Sequence, residues 1–136
     1  KPLAGIKVID LTQIYQGPYA AFLFAMAGAD VIKIEPVNGE RLRGAGGAKT
    51  PLSFAMLNSN KKSVTLNLRD EEGKKLLRKL VKDADVLLEN YAPGVMDRLG
   101  INPPPKKTGP GTAQWAASAR HRKHRVMVST CINLYW

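Results

Sequence analysis

Apolar and polar positions along the first hundred residues write out an alternating order of strands and helices. Residues 6–11 form a short apolar run that closes on Thr12, and a polar turn covers residues 13–18. Residues 19–27 are mostly Ala, Phe, Leu and Met; a Gly28-Ala29-Asp30 break follows, and residues 31–35 are again mostly apolar. Two short runs rich in β-branched residues, separated by a helix-length segment, predict one βαβ unit, because a crossover helix lets two parallel strands lie side by side. Parallel sheets bind ligands beyond the carboxyl ends of their strands, so residues 12–18 are the first candidate binding segment. The helix is apolar nearly all round, which predicts burial on more than one side, and Phe22, Phe24 and Met26 read better as core than as a ligand box.

Residues 36–53 change character. Pro36, Asn38, Gly39, Gly44, Gly46, Gly47 and Pro51 exclude a long regular element, and Arg41, Arg43 and Lys49 make the stretch basic. A loop of this kind at a strand's carboxyl end suits the covering of an anionic ligand. Residues 54–60 lead into a third strand, 63–68, alternating as Val64, Leu66 and Leu68. Asp70 is the predicted N-cap of the next helix, with Glu71 and Glu72 complementing the positive end of its dipole. Leu76, Leu77, Leu80 and Val81 form its buried stripe, and Lys74, Lys75, Arg78, Lys79 and Lys82 its solvated face. A fourth strand, 85–89, ends at Asn90-Tyr91-Ala92-Pro93-Gly94, and a short helix follows over 95–99. The pattern specifies an α/β parallel sheet with helices on both faces.

Chain length, 136 residues, bounds this to one domain or part of one. No apolar run approaches the roughly 20 residues that span a bilayer, and the first residues lack the pattern of a secretory signal. The expectation is a cytoplasmic protein with no membrane partner. A single cysteine, Cys131, agrees with a reducing compartment. No metal site is expected, since His121 and His124 stand three apart without a third ligand.

The net charge of +10 is unevenly spread. Residues 1–100 hold 15 Lys+Arg against 11 Asp+Glu, whereas residues 101–136 hold 6 basic residues and no acidic one. The basic cluster His121-Arg122-Lys123-His124-Arg125 would attract nucleic acid, but Trp115, Tyr135 and Trp136 are not interleaved with it as stacking groups would be, which argues against a nucleic-acid partner.

The first turn carries one glycine, Gly17, followed by Pro18, so the G-x-G-x-x-G of a dinucleotide fold is missing. Glu35 ends the second strand where such folds hold a ribose, but without the glycines it reads as a solvated carboxylate at a strand end. Pro18 suits the first helical turn, where its missing N–H leaves nothing unpaired.

The blocks LAGIKVIDLTQIYQGPYAAFLFAMAGADVIKIEP, LNSNKKSVTLNLRDEEGKKLLRKL and ADVLLENYAPGVMDRLG resemble, in order and spacing, the N-terminal part of the class III coenzyme A transferases. That group contains formyl-CoA and carnitine CoA transferases and α-methylacyl-CoA racemases. The resemblance covers residues 2–100. It implies a Rossmann-like large domain, incomplete here, that binds the nucleotide of coenzyme A, with acyl-CoA and a small carboxylic acid as substrates and an interlocked homodimer as the assembly. Carried over by position, it points to Tyr15 and Gln16 in the first turn, to Leu66, Asn67, Leu68 and Arg69 at the third strand's end, to Asn90, Tyr91 and Ala92 after the fourth, and to Arg98. Three of these groups follow strand ends, and the guanidinium forks of Arg69 and Arg98 suit phosphates. Tyr91 packs an adenine face or fills core; Arg98 meets the ligand or pairs with an acid such as Asp97. Pro36 stands where relatives often carry an arginine, so that phosphate contact is lost or supplied by Arg41 or Arg43. Gln13, Tyr15 and Gln16 also depart from the commoner residues of that turn.

In the transferases of this group, the resemblance implies, an aspartate well downstream attacks the acyl-CoA carbonyl and forms a mixed anhydride, which splits one hard exchange into easier steps. After Asp97 this sequence has no Asp and no Glu, so no catalytic residue is expected within it. Residues 1–100 are expected to be the family part and residues 101–136 an irregular, basic, unrelated ending on a truncated transferase. Three readings follow: a fragment of a CoA transferase, a catalytically inactive CoA-binding module, or part of an acyl-CoA racemase whose acid and base would also lie past the resemblance.

Overall fold

Three strands form where apolar positions are most continuous, β1 (Lys7–Asp10), β2 (Asp30–Glu35) and β4 (Val86–Glu89), and a fourth, β3 (Lys62–Thr65), is a mostly exposed edge strand. The computed structural model describes residues 1–44, 51–92 and 94–100, together with the backbone of a further strand, β5 (Val126–Ser129). All pairings are parallel, and the five strands lie in the order β3-β2-β1-β4-β5. The helices are α1 (Gln16–Met26), α2 (Leu52–Asn58), α3 (Glu71–Lys82) and α4 (Val95–Arg98).

Successive residues of a strand point to opposite faces, and here each face has its own core. Val8, Val31, Val86 and Leu88 pack with Ala21 and Ala25 of α1; Ile9, Leu11, Ile34 and Leu87 pack with Leu77 of α3 and Met96 of α4. Helices therefore cover both faces of a parallel sheet, as the pattern predicted.

Four expectations need correction. The outer side of α1 is open among the described residues: Tyr19, Leu23 and Met26 are about half exposed, because only the small residues Gly17, Pro18, Ala21 and Ala25 are fully buried beneath the helix. Met26 is thus not core. Leu76 is likewise half exposed, since the single sheet face under α3 is met by Leu77, and by Leu80 and Val81 in part. Pro51 starts the short helix α2 within a stretch whose periodicity is too brief to show it, and Arg41–Arg43 form one 3-10 turn in the glycine-rich loop. Four residues of the basic tail, Val126–Ser129, are strand, drawn into the ladder by the free edge of β4. The cluster at 121–125, its two histidines and the aromatic residues beyond lie outside the described residues.

Asp70 occupies the N-cap position of α3, but its carboxylate accepts a hydrogen bond from Asn67 Nδ2 at 2.6 Å and makes no capping bond to the helix. Gly73 explains how that helix begins so close to the chain before it. A Cβ at Gly73 would sit 2.0 Å from the Asn67 carbonyl oxygen, so only glycine lets the first turn of α3 rest against the segment leaving β3. Among the described residues no helix is long and apolar enough to cross a membrane.

Candidate functional site

The strand order locates the site. From β1 the chain passes through α1 to β2 on one side, whereas from β3 it passes through α3 to β4 on the other side of β1. Connections that leave neighbouring strands in opposite directions open a crevice beyond their carboxyl ends, and this crevice lies between β1 and β4.

Both rims are held by side chains that replace missing backbone partners. Asn90, just past β4, accepts a hydrogen bond from the Gln13 amide at 2.9 Å and donates to the Gln13 carbonyl at 2.8 Å. Ile14 has φ +72°, a conformation that costs a β-branched residue about 1–2 kcal/mol, and its amide donates to Glu40 Oε1 at 2.8 Å. Gly17 lets α1 start against β1: a Cβ there would fall 2.3 Å from Thr12 Cβ.

Beneath this turn lies a buried polar cluster on the α1 face. Asp10 and Thr12 of the first strand segment and Lys33 of β2 share that face by alternation, and all three are essentially inaccessible. Asp10 accepts bonds from the Thr12 amide at 2.9 Å, the Thr12 hydroxyl, and Lys61 Nζ at 2.9 Å. Lys61 also donates to the Pro18 carbonyl and to Asn58 Oδ1, tying α1 and α2 to β1; Lys33 donates to the Thr12 carbonyl at 2.9 Å. Burial lowers the Lys61 pKa, with Asp10 opposing that shift.

Glu35 departs from the expected solvated carboxylate. It is 2% exposed and receives Arg43 Nε and Nη2, the latter at 2.7 Å, the Ser63 hydroxyl at 2.6 Å and the Glu40 amide at 3.2 Å. Burial alone would push this carboxyl up, but the bonds from Arg43, Ser63 and Glu40 outweigh it and bring the pKa down to about 2. Arg43, expected as a possible phosphate contact, is instead committed to Glu35 and stacked 4.1 Å from the Phe54 ring centre.

A cleft of about 240 Å³ opens at the carboxyl ends of β1, β2 and the segment after β3. Leu66, Asn67, Leu68, Arg69 and Tyr91 all line it, together with Gln13, Pro36, Val95 and Leu99. The Tyr91 phenol is held above the ordinary tyrosine range chiefly by burial, with a hydrogen bond to the Gln13 side chain opposing. Tyr91 also packs partly on the core under α3, so it serves as wall and core at once. Asn67 and Arg69 are exposed at the rim, and Asn67 Oδ1 accepts the Arg69 amide at 3.2 Å. A larger groove of about 430 Å³ between α3 and the β2–β3 face reaches Lys7 and Asp83 at the amino rim, away from the switch point.

The other predicted residues do not line this cleft. Tyr15 caps α1 and Gln16 begins it, both exposed; Ala92 is exposed after β4; Arg98 is exposed on α4, whose Val95 and Leu99 face the cleft. Asn90 meets Gln13 rather than the open space. Sequence reasoning missed Glu40, Lys33 and Lys61, because charged residues read as solvent-facing and only the fold buries them. Among the described residues no group of His, Cys, Asp and Glu forms a metal site.

Strand order and helices on both faces define a doubly wound α/β protein. The family follows from comparison: residues 3–108 match the model of CoA-transferase family III, and the chain belongs to that family. It is 45% identical over 104 residues to a formyl-CoA:oxalate CoA-transferase of Streptomyces coelicolor, covering 74% of this chain and 25% of that enzyme. The same figures over 105 residues hold for the enzyme of that name from Escherichia coli O139:H28. Among solved structures it resembles Rv3272 from Mycobacterium tuberculosis (TM-score 0.72, 41% identity, 76% of this chain, 29% of that one). A CAIB/BAIF family protein from Brucella suis gives a TM-score of 0.72 at 38% identity over 75% of this chain and 29% of that one. The chain spans about a quarter of the length of the curated relatives it matches.

Proposed function

We propose that this chain forms the N-terminal, coenzyme A-binding part of a transferase that moves CoA between an acyl-CoA and a small carboxylic acid. The observation that carries the reading is the cleft at the carboxyl ends of the strands, where Asn67, Arg69 and Tyr91 of the matched region meet in one wall. Its volume of about 240 Å³ is below the ~300 Å³ at which drug-sized pockets begin, so it suits one portion of CoA, with the remainder running over the exposed rim. Arg69 offers a planar fork of donors to phosphate and Tyr91 an aromatic wall; Tyr15, Gln16, Asn90, Ala92 and Arg98, to which the resemblance also points, are assigned to the same binding role. The relatives' names favour formyl-CoA and oxalate as the donor and acceptor types, and a transferase over a racemase. A homodimer is proposed for the complete subunit, supported by the half-exposed Tyr19, Leu23 and Met26 on α1, and a cytoplasmic setting by the lone cysteine. Since the sequence has no carboxylate after Asp97, the chain by itself binds without turnover.

Titration calorimetry with coenzyme A tests this. Saturable binding is expected, weakened about tenfold, or 1.4 kcal/mol, in Arg69→Ala. No binding by the wild-type chain overturns the reading. Transfer of CoA from formyl-CoA to labelled oxalate by this chain alone would overturn the claim that it lacks the nucleophile.

A further inference from the structure

We infer that Glu40 is a positioning residue for the nucleotide site, acting through the β1–α1 turn rather than by touching ligand. The inference rests on the proposed CoA-binding role of this rim. Glu40 is 3% exposed, although it sits in a glycine-rich basic loop 26 residues from the group it serves. Its Oε1 accepts the Ile14 amide at 2.8 Å, and its own amide is bound to Glu35 Oε2, so the residue is fixed at both ends. Its Oε2 is buried with no hydrogen-bond donor among the described residues. Leaving such an atom without a donor is unfavourable, so the carboxylate is held by the bond that Oε1 makes and by the attraction of the cations Arg43 and Lys61.

What that bond holds is strained. Ile14 adopts φ +72°, and a β-branched residue stays there only where its surroundings over-determine it. Asn90 grips the preceding residue by both its amide and its carbonyl, and Glu40 grips Ile14 itself. The next two residues are Tyr15 and Gln16, the cap and first residue of α1, and they leave the turn in the direction that Ile14 dictates. A line of bonds thus crosses the carboxyl rim: Ser63 to Glu35, Glu35 to the Glu40 amide, the Glu40 carboxylate to Ile14, and Gln13 to Asn90. Without Glu40, Ile14 relaxes to negative φ, and Tyr15 and Gln16 turn with it.

The test is a double-mutant cycle on the whole 136-residue chain, read by calorimetry with coenzyme A. Glu40→Ala is expected to weaken binding about tenfold in the wild-type background, but under about threefold in Ile14→Gly, because glycine occupies positive φ without strain. A merely structural role would give equal losses in both backgrounds, and that result, or no loss at all, overturns the inference. A second readout needs no ligand: hydrogen exchange at the Ile14 amide is expected to accelerate at least about tenfold in Glu40→Ala, with the Leu11 amide unchanged. Unchanged exchange at Ile14 overturns the inference even where CoA binds. Wild-type chain that fails to bind CoA, with Ile14 released as expected, overturns the nucleotide reading and leaves the turn clamp standing as a feature of the fold.

Discussion

Gln13 and Asn90 are 77 positions apart and satisfy each other's hydrogen bonds, amide to Oδ1 at 2.9 Å and Nδ2 to carbonyl at 2.8 Å. Asparagine suits this because one side chain both accepts and donates. Asn90→Asp keeps the acceptor but sets a carboxylate against the Gln13 carbonyl. It is expected to destabilise the fold by about 1–3 kcal/mol and to weaken CoA binding with it. Urea unfolding followed by circular dichroism measures the first; an unchanged midpoint would show that the two rims are held by other means.

Gly73 sets helix propensity against packing. Alanine inside a helix is favoured over glycine by about 1 kcal/mol. Here its Cβ would lie 2.0 Å from the Asn67 carbonyl oxygen, a backbone atom that cannot swing aside as a side chain would. Overpacking of this kind costs about 1–3 kcal/mol, so packing is expected to win and Gly73→Ala to lower Tm. The displaced residues, 66–69, line the cleft, so the proposed CoA affinity is expected to fall as well. A raised Tm would mean that the segment has room to move.

Glu35 gives the protein an acid limb. Its pKa is 4.5 in the ordinary state and about 2 when folded, so the unfolded chain takes up the proton first as pH falls. The stabilisation is therefore fully present above pH 4.5 and is lost as pH falls toward 2. It amounts to roughly 2–3 kcal/mol, toward the lower end because Arg43 is partly in water and screened. Glu35→Gln is expected to be less stable at pH 7 and to flatten the decline between pH 4.5 and 2. Chemical denaturation at a series of pH values checks this, and an unaltered slope in the variant would refute it.

Lys61 is the buried cation that joins Asp10 to α1 and α2. Lys61→Met leaves Asp10 with the Thr12 bonds and with Lys33 at 4.0 Å, an incompletely compensated buried charge. The expected loss is about 3 kcal/mol, with part regained in the double variant Asp10→Asn/Lys61→Met, where both charges are gone. Equal stabilities of the single and double variants would show that the pair is not coupled.

Much of this arrangement could be read along the chain. Strands β1 to β4 and helices α1 and α3 follow from apolar spacing and from breaks at Gly28 and Asp70, because local periodicity is a property of neighbouring residues. Five of the residues to which the family resemblance points, Leu66, Asn67, Leu68, Arg69 and Tyr91, line one cleft. Glu35 was misread as solvated, since a charged residue at a strand end carries no sign of the arginine eight positions later that folds back onto it. Met26 was misread as core, since an apolar residue does not announce which side of its helix is covered.

What the sequence determined alone was the kind and order of β1 to β4, α1, α3 and α4 and the family they belong to, because those are written in residues close together along the chain. The tertiary structure decided the rest. It chose the order β3-β2-β1-β4, placed the crevice between β1 and β4, and brought Asn90 to Gln13, Glu40 to Ile14 and Lys61 to Asp10. These contacts join residues 26 to 77 positions apart, and a polar side chain goes inside only when the fold supplies the partner that offsets its desolvation.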